Sequence, residues 1–368
     1  MASTKMNLNN TNKNVVIVTG GTGGHIYPAI TLGEYLVKKY FIVNFITDKR
    51  GLTNKNLADL KPFLINVKGF AGKTFLQKAF SIFLIIISFF KSLIFLLKIK
   101  SDIVMGFGSY VQVPVILAAK VLNIKIILHE ANLVLGNANK YLWSFARVRA
   151  CAYKNLKSKK HFEVVGLPVR NEINLLFKNS YKFPKKNEKI NLLILGGSLG
   201  SLILSRKLSY QICILPKSIK KRLHIIHQSK AEDIKYISNE YKKNNISSEV
   251  REYFEDIQKK FKNTTLVICR AGASTIAENL IVGLPAIYIP LSNSIDNHQF
   301  QNAKMVANQN AGKIILESEI LKKKFSSLLL SLLNSKEVLE RISYNCKRLS
   351  TPNASKKLYK LVSGVLNE

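Results

Sequence analysis

Acidic residues are scarce in this 368-residue chain: 22 Asp and Glu stand against 56 Lys and Arg, leaving a net charge of +34. So basic a chain is drawn to nucleic acid, to an anionic membrane or to phosphorylated substrates, or its lysines record compositional drift in a sequence rich in Lys, Asn and Ile. The lysines are scattered rather than gathered into one patch interleaved with aromatics, so nothing reads as a nucleic-acid module. Cysteine is equally sparse. Cys151, Cys213, Cys269 and Cys346 stand far apart, with no CxxC pair and no histidine at metal spacing. That disfavours a disulfide framework and a zinc site, and suits reduced thiols in a cytoplasmic protein. No DxD triplet occurs, so a metal-held diphosphate is not favoured. The first fourteen residues are polar and lack an apolar h-region, so a disordered tail is expected and a signal peptide is not. Apolar residues make up 47%, enough for two buried cores.

What is present is a repeated order of strand, glycine loop and helix. Val15–Thr19 is a β-branched run that stops at Gly20-Gly21-Thr22-Gly23-Gly24, and a helical pattern follows from about Pro28 to Lys39. Phe41–Thr47, Ile103–Met105 and Lys125–His129 read as further strands. Lys182–Lys189 is lysine-rich, contains Pro184 and reads as a linker. The pattern then restarts: Ile190–Leu195 stops at Gly196-Gly197-Ser198-Leu199-Gly200, and Leu223–Gln228, Leu266–Cys269 and Pro285–Pro290 supply more short buried strands. Two successive α/β units of Rossmann-like layout are expected.

Ala79–Leu97 is the most hydrophobic stretch, but Lys91 lies inside it, and a charge at mid-bilayer costs about 3 kcal/mol even on lenient scales. Thr74, Gln77, Lys78, Ser81, Ser88 and Ser92 recur at helical spacing and fall within one sector roughly 100° wide. The expectation is an interfacial helix. Its narrow polar stripe would pack on the protein, its Phe, Ile and Leu face would enter the headgroup layer, and Lys73, Lys98 and Lys100 would reach for phosphates. A buried core helix and a true span are the alternatives.

The glycine loops are where chemistry is expected. In Gly20–His25, backbone N–H groups and a helix N-terminus can face an anion, and His25 is placed as a general base or as a diphosphate contact. Gly106-Phe107-Gly108-Ser109-Tyr110 is a second such loop on the same sheet edge. His129-Glu130-Ala131-Asn132 brings polar side chains to that edge. In the second half, Cys269-Arg270-Ala271-Gly272-Ala273-Ser274-Thr275-Ile276-Ala277-Glu278 runs from strand into helix, with small residues allowing close backbone approach. Glu278 lies one turn beyond Ser274, where a carboxylate can accept two ribose hydroxyls. Asp296-Asn297-His298-Gln299-Phe300-Gln301-Asn302-Ala303 offers amides suited to sugar hydroxyls.

With GGTGGH, GFGSY, HEAN, VVGLPVR (Val164–Arg170), LGGSLG, CRAGAST with Glu278 and DNHQFQNA all in order, the sequence resembles the MurG family of bacterial transferases. These add N-acetylglucosamine to undecaprenyl-pyrophosphoryl-MurNAc-pentapeptide (lipid I), making lipid II. The resemblance runs from about Val15 to about residue 350. It implies a GT-B fold, two Rossmann-like domains facing across a cleft. Residues 15–169 would be the acceptor and membrane domain, 170–346 the UDP-GlcNAc domain, and 347–368 a helix returning to the first. It also implies inverting transfer by a hexosyltransferase, with UDP-GlcNAc as substrate and no cofactor. Carried over by position, Thr22, Gly23, Gly24, Asn132, Arg170, Ser198, Phe254, Ala273, Ser274, Thr275, Ile276, Ala277, Glu278 and Gln299 would contact the donor, Phe254 through its backbone to uracil. Gly21, Gly106, Gly108, Ser109 and Tyr110 would face the acceptor, and His25 and Glu130 would be catalytic. Lipid I, anionic lipids and other cell-wall enzymes would be partners at the cytoplasmic face of the inner membrane, in peptidoglycan synthesis and so in cell shape and division.

The chain departs from the family pattern at three places. Ala131 and Leu199 stand where members often have Gln, and Gln112-Val113-Pro114 replaces a common Ser-Gly-Pro. The rival readings are a non-hydrolysing UDP-GlcNAc 2-epimerase, a transferase acting on diacylglycerol or another polyprenol, and a nucleotide-sugar binding subunit that needs a catalytic partner.

Overall fold

The computed structural model describes residues 12–21, 23–69, 74–154, 160–196 and 202–368, without the side chains of residues 202–204 and 295. The chain divides into two compact units, Met1–Arg170 with Asn353–Glu368, and Asn171–Pro352.

The first unit is built on a seven-stranded parallel sheet of order β3-β2-β1-β4-β5-β6-β7. Its strands are β1 Asn14–Val18, β2 Ile42–Thr47, β3 Phe63–Leu64, β4 Ile103–Gly106, β5 Lys125–Glu130, β6 Val148–Cys151 and β7 Glu163–Val164. The central strands are continuous apolar runs because helices cover both faces: Val15, Val16, Ile17 and Val18 are all fully buried. β1 begins at Asn14, whose N–H donates to Asp102 Oδ2 at 2.8 Å while Lys13 pairs with Asp102 Oδ1. The order reverses between β1 and β4, and a doubly wound sheet has its ligand crevice at that reversal, beyond the carboxyl ends of the strands.

The second unit repeats this plan in six parallel strands of order β10-β9-β8-β11-β12-β13. They are β8 Ile190–Leu195, β9 Leu223–Gln228, β10 Ser247–Arg251, β11 Leu266–Cys269, β12 Ala286–Tyr288 and β13 Lys313–Ile314. Here the reversal lies between β8 and β11. The loop after β8 includes residues 197–201, which fall outside the described residues.

Two helices differ from expectation for local reasons. The first begins at Gly23 rather than Pro28 and runs to Val37, so Pro28 sits inside it and His25 lies in its first turn. Pro28 supplies no N–H to the Gly24 carbonyl, so the helix forgoes that one i→i−4 bond near its start. The returning helix is Ala354–Asn367, not a helix from Lys347. Lys347 belongs to the preceding helix Lys336–Leu349, which stops ahead of Pro352, and Asn353 turns the chain in a left-handed conformation at φ 60°. Leu358, Val362 and Val365 of the returning helix are buried in the first unit's core with Leu32, Leu36 and Phe41. Tyr359 meets Tyr35 and Phe41 edge-on or tilted, with ring centroids about 6 Å apart.

The Phe75–Lys98 helix carries its polarity inside out. Ser81, Ser88 and Ser92 are buried at 0% exposure, while Phe83, Phe90 and Ile94 are 56%, 55% and 65% exposed. Ser88 Oγ donates to the Asn66 carbonyl at 2.8 Å and accepts from the Asn66 N–H at 3.3 Å, and Ser92 Oγ donates to the Ser88 carbonyl at 2.7 Å. The polar part of the inward stripe is three serines rather than six polar residues, and Leu84 and Leu96 flank it. Thr74 and Gln77 instead form a capping box at the helix start, and Lys78 is exposed. Lys73 lies outside the described residues. By length and composition the helix could cross a membrane, with 22% of its most apolar window buried in the protein.

Candidate active site

In the first unit, the loops after β1 and β4 lie side by side at the sheet reversal. Gly21 holds φ +81°, a conformation that favours glycine, and a Cβ there would come within 3.3 Å of Ser109 Oγ. Gly108 holds φ +96°, and a Cβ on it would lie 2.8 Å from His25 Cε1. The His25 ring therefore rests directly on the Gly108 backbone. Ser109 is also left-handed, at φ 68°. Tyr110 lies against Gly69. Arg170 comes to the same edge, its guanidinium 5.7 Å from the Tyr27 ring on the helix that carries His25, Gly23 and Gly24. Thr22 lies outside the described residues.

The loop after β5 is organised by Glu130. Its Oε1 accepts from the Asn132 backbone N–H at 2.9 Å and from Asn132 Nδ2 at 3.2 Å. Its Oε2 accepts from the Gly136 N–H at 2.9 Å and from Asn139 Nδ2 at 2.8 Å. A carboxylate that accepts four hydrogen bonds and is 2% exposed is engaged with its own loop. Asn132 is thereby fixed at the loop tip, and Ala131 is buried beneath it. Neighbouring His129 pairs through Nε2 with the Gly166 carbonyl at 2.8 Å and stacks on Phe107.

Burial pushes His129 down to about 4, outweighing the Gly166 hydrogen bond that raises it, and it pushes His227 in the second unit down to about 3. Both stay neutral in the fold, whereas the unfolded chain binds those protons near pH 6.5. The unfolded state thus binds more protons across that interval, so stability is full above pH 6.5 and falls as the pH drops toward 4. The loss expected for each histidine is about 3 kcal/mol at the acid end. Thermal unfolding followed from pH 7 to pH 4 tests this, and a melting temperature that stays flat down to pH 4.5 contradicts it.

In the second unit, Gly272 caps the Ala273–Val282 helix with no side-chain cap, so the positive end of the helix dipole opens at the carboxyl edge of β11. Ala273, Ser274, Thr275, Ile276 and Ala277 form its first turns, with Glu278 half-buried one turn beyond Ser274. Arg270, which is buried, pairs with the partly buried Glu317. Arg270 Nη1 also donates to the Ile289 carbonyl at 3.3 Å, and Ser292 Oγ donates to Glu317 Oε2 at 2.8 Å. Burial would raise the Glu317 carboxyl, but the hydrogen bonds from Ser292 and Arg270 and the guanidinium charge outweigh it and hold it below its ordinary value. One ion pair thus ties together the loops that follow β11, β12 and β13. Gln299, at the start of the His298–Asn308 helix, accepts the Leu291 N–H at 3.1 Å, and the preceding Asp296 and Asn297 are both left-handed. Phe254 is buried, with Lys260 over its ring. Ser198 lies outside the described residues. Among the described residues, no group of three or more His, Cys, Asp or Glu could hold a metal ion.

Two features escaped the sequence: the partners of Gln112 and Asn139 in the first unit, and the Arg270–Glu317 pair in the second. A buried arginine in a strand-end motif signals an acid somewhere, but nothing local points to one 47 positions further on.

Two family models match the chain. The glycosyltransferase family 28 N-terminal domain covers residues 15–150, and the family 28 C-terminal domain covers residues 191–358. Among curated proteins, the chain is 36% identical to the UDP-N-acetylglucosamine--N-acetylmuramyl-(pentapeptide) pyrophosphoryl-undecaprenol N-acetylglucosamine transferase of Rickettsia canadensis, over 97% of this chain and 99% of that protein. It is 32% identical to the protein of the same name from Wolbachia pipientis wMel, over 95% and 98%. Among solved structures it is similar to Acinetobacter baumannii MurG, with a TM-score of 0.79 and 28% identity over 96% of this chain and 99% of that one. The UDP-GlcNAc 2-epimerase of Neisseria meningitidis bound to UDP-GlcNAc follows at a TM-score of 0.65 and 15% identity, over 95% and 100%, a likeness of fold alone. Both units are thus the Rossmann-like halves of a GT-B enzyme, and the chain belongs to the MurG family of UDP-GlcNAc-dependent N-acetylglucosaminyltransferases within glycosyltransferase family 28.

Proposed function

We propose that this protein moves N-acetylglucosamine from UDP-GlcNAc to the C4 hydroxyl of MurNAc in undecaprenyl-pyrophosphoryl-MurNAc-pentapeptide, with inversion at the anomeric carbon. The near full-length match to transferases bearing that name carries the reading. His25, seated on Gly108, takes the proton of the attacking hydroxyl. Gly21, Gly106, Gly108, Ser109 and Tyr110 shape the acceptor side of the first unit. Gly106 and Gly108 serve by lacking side chains, since Gln112 and the His25 ring occupy the space a Cβ would need. Thr22, Gly23, Gly24, Asn132 and Arg170 serve the donor from the first unit. Ser198, the Phe254 backbone, Ala273 to Ala277, the Glu278 carboxylate on the ribose hydroxyls, and Gln299 serve it from the second. The departing diphosphate is stabilised by the N-terminus of the Ala273–Val282 helix. Glu130 acts by holding Asn132 rather than by touching substrate.

The lipid acceptor places the reaction at a bilayer surface, and the exposed face of the Phe75–Lys98 helix is the part suited to it, with the strongly basic surface adding attraction to anionic headgroups. The protein then works as a peripheral enzyme on the cytoplasmic face of the plasma membrane. Changing Phe83, Ile86 and Phe90 together to serine removes roughly 1 kcal/mol of insertion each, so partitioning onto anionic vesicles should weaken about 100-fold. Flotation of the triple variant undiminished beside wild type would remove this helix from the membrane contact.

The reaction itself is tested by incubating the protein with radiolabelled UDP-GlcNAc and a lipid I analogue in detergent. Label entering the lipid fraction only when the analogue is present is the expected result. Epimerised donor without lipid product would overturn it.

A further inference from the structure

Gln112 stands where the family pattern commonly has serine, and the structure gives it a specific task. It is fully buried, and its Oε1 accepts the Gly108 backbone N–H at 3.0 Å. Its Nε2 donates to Asn139 Oδ1 at 2.7 Å, and Asn139 Nδ2 donates to Glu130 Oε2 at 2.8 Å. Glu130 in turn holds Asn132 through both its backbone and its side chain. The side chain of Gln112 fills the space left by the missing side chain of Gly106. A single file of hydrogen bonds therefore runs from the loop under His25 to the loop tip at Asn132.

The two ends of this file dictate its direction. A backbone N–H can only donate, and a carboxylate can only accept. Both amides between them are therefore locked in one orientation, because turning either one over would set two donors or two acceptors face to face inside a buried site, where an unmade hydrogen bond is expensive. A serine at position 112 is too short to span the same gap from its place on the Gln112–Val121 helix while filling the space at Gly106.

We propose that Gln112 is a positioning residue for transfer: through Asn139 and Glu130 it fixes the loop that seats His25 and the loop that presents Asn132 in one mutual register. This rests on the roles given above to His25 and Asn132. The relay is buried and touches no substrate, so its effect is on geometry, and misplacement of reacting groups by a fraction of an ångström is costly in rate.

The test compares wild type with Gln112→Leu, Gln112→Glu, Glu130→Gln and the combined Gln112→Glu/Glu130→Gln protein, reading kcat, KM for each substrate, melting temperature and backbone amide exchange. Gln112→Leu is expected to lower kcat about 10-fold or more with a smaller change in donor KM, and to speed exchange in residues 107–110 and in residues 131–136 together. Gln112→Glu alone sets its new carboxylate against Asn139 Oδ1. Glu130→Gln cannot accept from Asn132, Gly136 and Asn139 at once, because its amide nitrogen meets one of those donors. Both changes break the same file, so the combined protein should lose little more kcat than its worse parent. Lower melting temperature with kcat unchanged overturns the proposal. So does faster exchange confined to residues 107–110, or kcat losses of the two single variants that multiply in the double variant. If Gln112→Leu does not fold, the two glutamate–glutamine exchanges decide the matter by the same criteria. Wild type that moves no sugar overturns the functional reading, while the exchange data still report on the relay.

Discussion

Replacing His25 with alanine is expected to lower kcat by about 100-fold or more while leaving UDP-GlcNAc affinity nearly unchanged. The imidazole lies in the first turn of the Gly23–Val37 helix, and its ring is pressed on the Gly108 backbone, which fixes its position beside the Gly106–Tyr110 loop. A general base held at that point contributes to the barrier and little to ground-state binding, so the loss should fall on kcat. The donor is gripped chiefly by the second unit in the reading above, which is why its dissociation constant should move little. Gly108→Ala is a useful companion, because its Cβ would sit 2.8 Å from His25 Cε1 at a backbone φ of +96°. It should depress kcat without removing any titratable group. Steady-state rates with saturating lipid I analogue, and UDP binding by calorimetry, separate the two effects. A normal kcat for His25→Ala would end the assignment of the base.

Removing Glu317 should strongly destabilise the second unit. Glu317→Ala leaves the guanidinium of Arg270 in a site where only 9% of that side chain reaches solvent. Breaking a buried pair from one side typically costs about 3–5 kcal/mol, far more than the intact pair contributes over a well-packed apolar substitute. For a unit of this size that corresponds to a fall in Tm of roughly 10 °C. Arg270→Met with Glu317→Leu removes both charges and should recover much of the loss. The intact pair also carries a pH signature. The Glu317 carboxyl is depressed in the fold below its ordinary 4.5, so its contribution is present above pH 4.5 and is lost as the pH falls through the folded value. Because the pair fastens the loops on either side of the Ala273–Val282 helix start, donor KM should rise along with the loss of stability. A Glu317→Ala protein that melts like wild type would show that Arg270 has found other partners.

The interior of each sheet was legible because its strands are apolar runs stopped by glycine, a pattern that survives in one dimension. Ile190–Leu195, Leu223–Gln228 and Leu266–Cys269 stand as read, and Ile103–Gly106 and Lys125–Glu130 extend by one residue. The edges were not legible. Phe63–Leu64, Glu163–Val164 and Lys313–Ile314 pair over two residues each, too short to show alternation, and Ser247–Arg251 is polar because an edge strand is half in solvent. In the Phe75–Lys98 helix the periodicity located the inward serines, but it also swept in Thr74 and Gln77, whose polarity serves the helix end.

The site divides in the same way. Glycines that need positive φ or a close neighbour, such as Gly21 and Gly108, announce themselves in a loop motif, and His25 follows from its place beside them. What a polar side chain does cannot be read from its neighbours in the chain. Nothing beside Glu130 in the chain shows that Asn132, Gly136 and Asn139 occupy both its oxygens. Gln112 looks like a mere departure from a motif until the amide at Asn139, 27 positions away, is found against it.

The returning helix bears on how the molecule is made. The second unit is continuous, Asn171–Pro352, whereas the first is split, its core missing Leu358, Val362 and Val365 until the last stretch is translated. Domains ordinarily close in the order in which they leave the ribosome. Here the segment that emerges first must wait, one side of its core open, until synthesis has passed residue 365. The later segment holds all its parts sooner. The half that carries the Phe75–Lys98 helix is thus completed last.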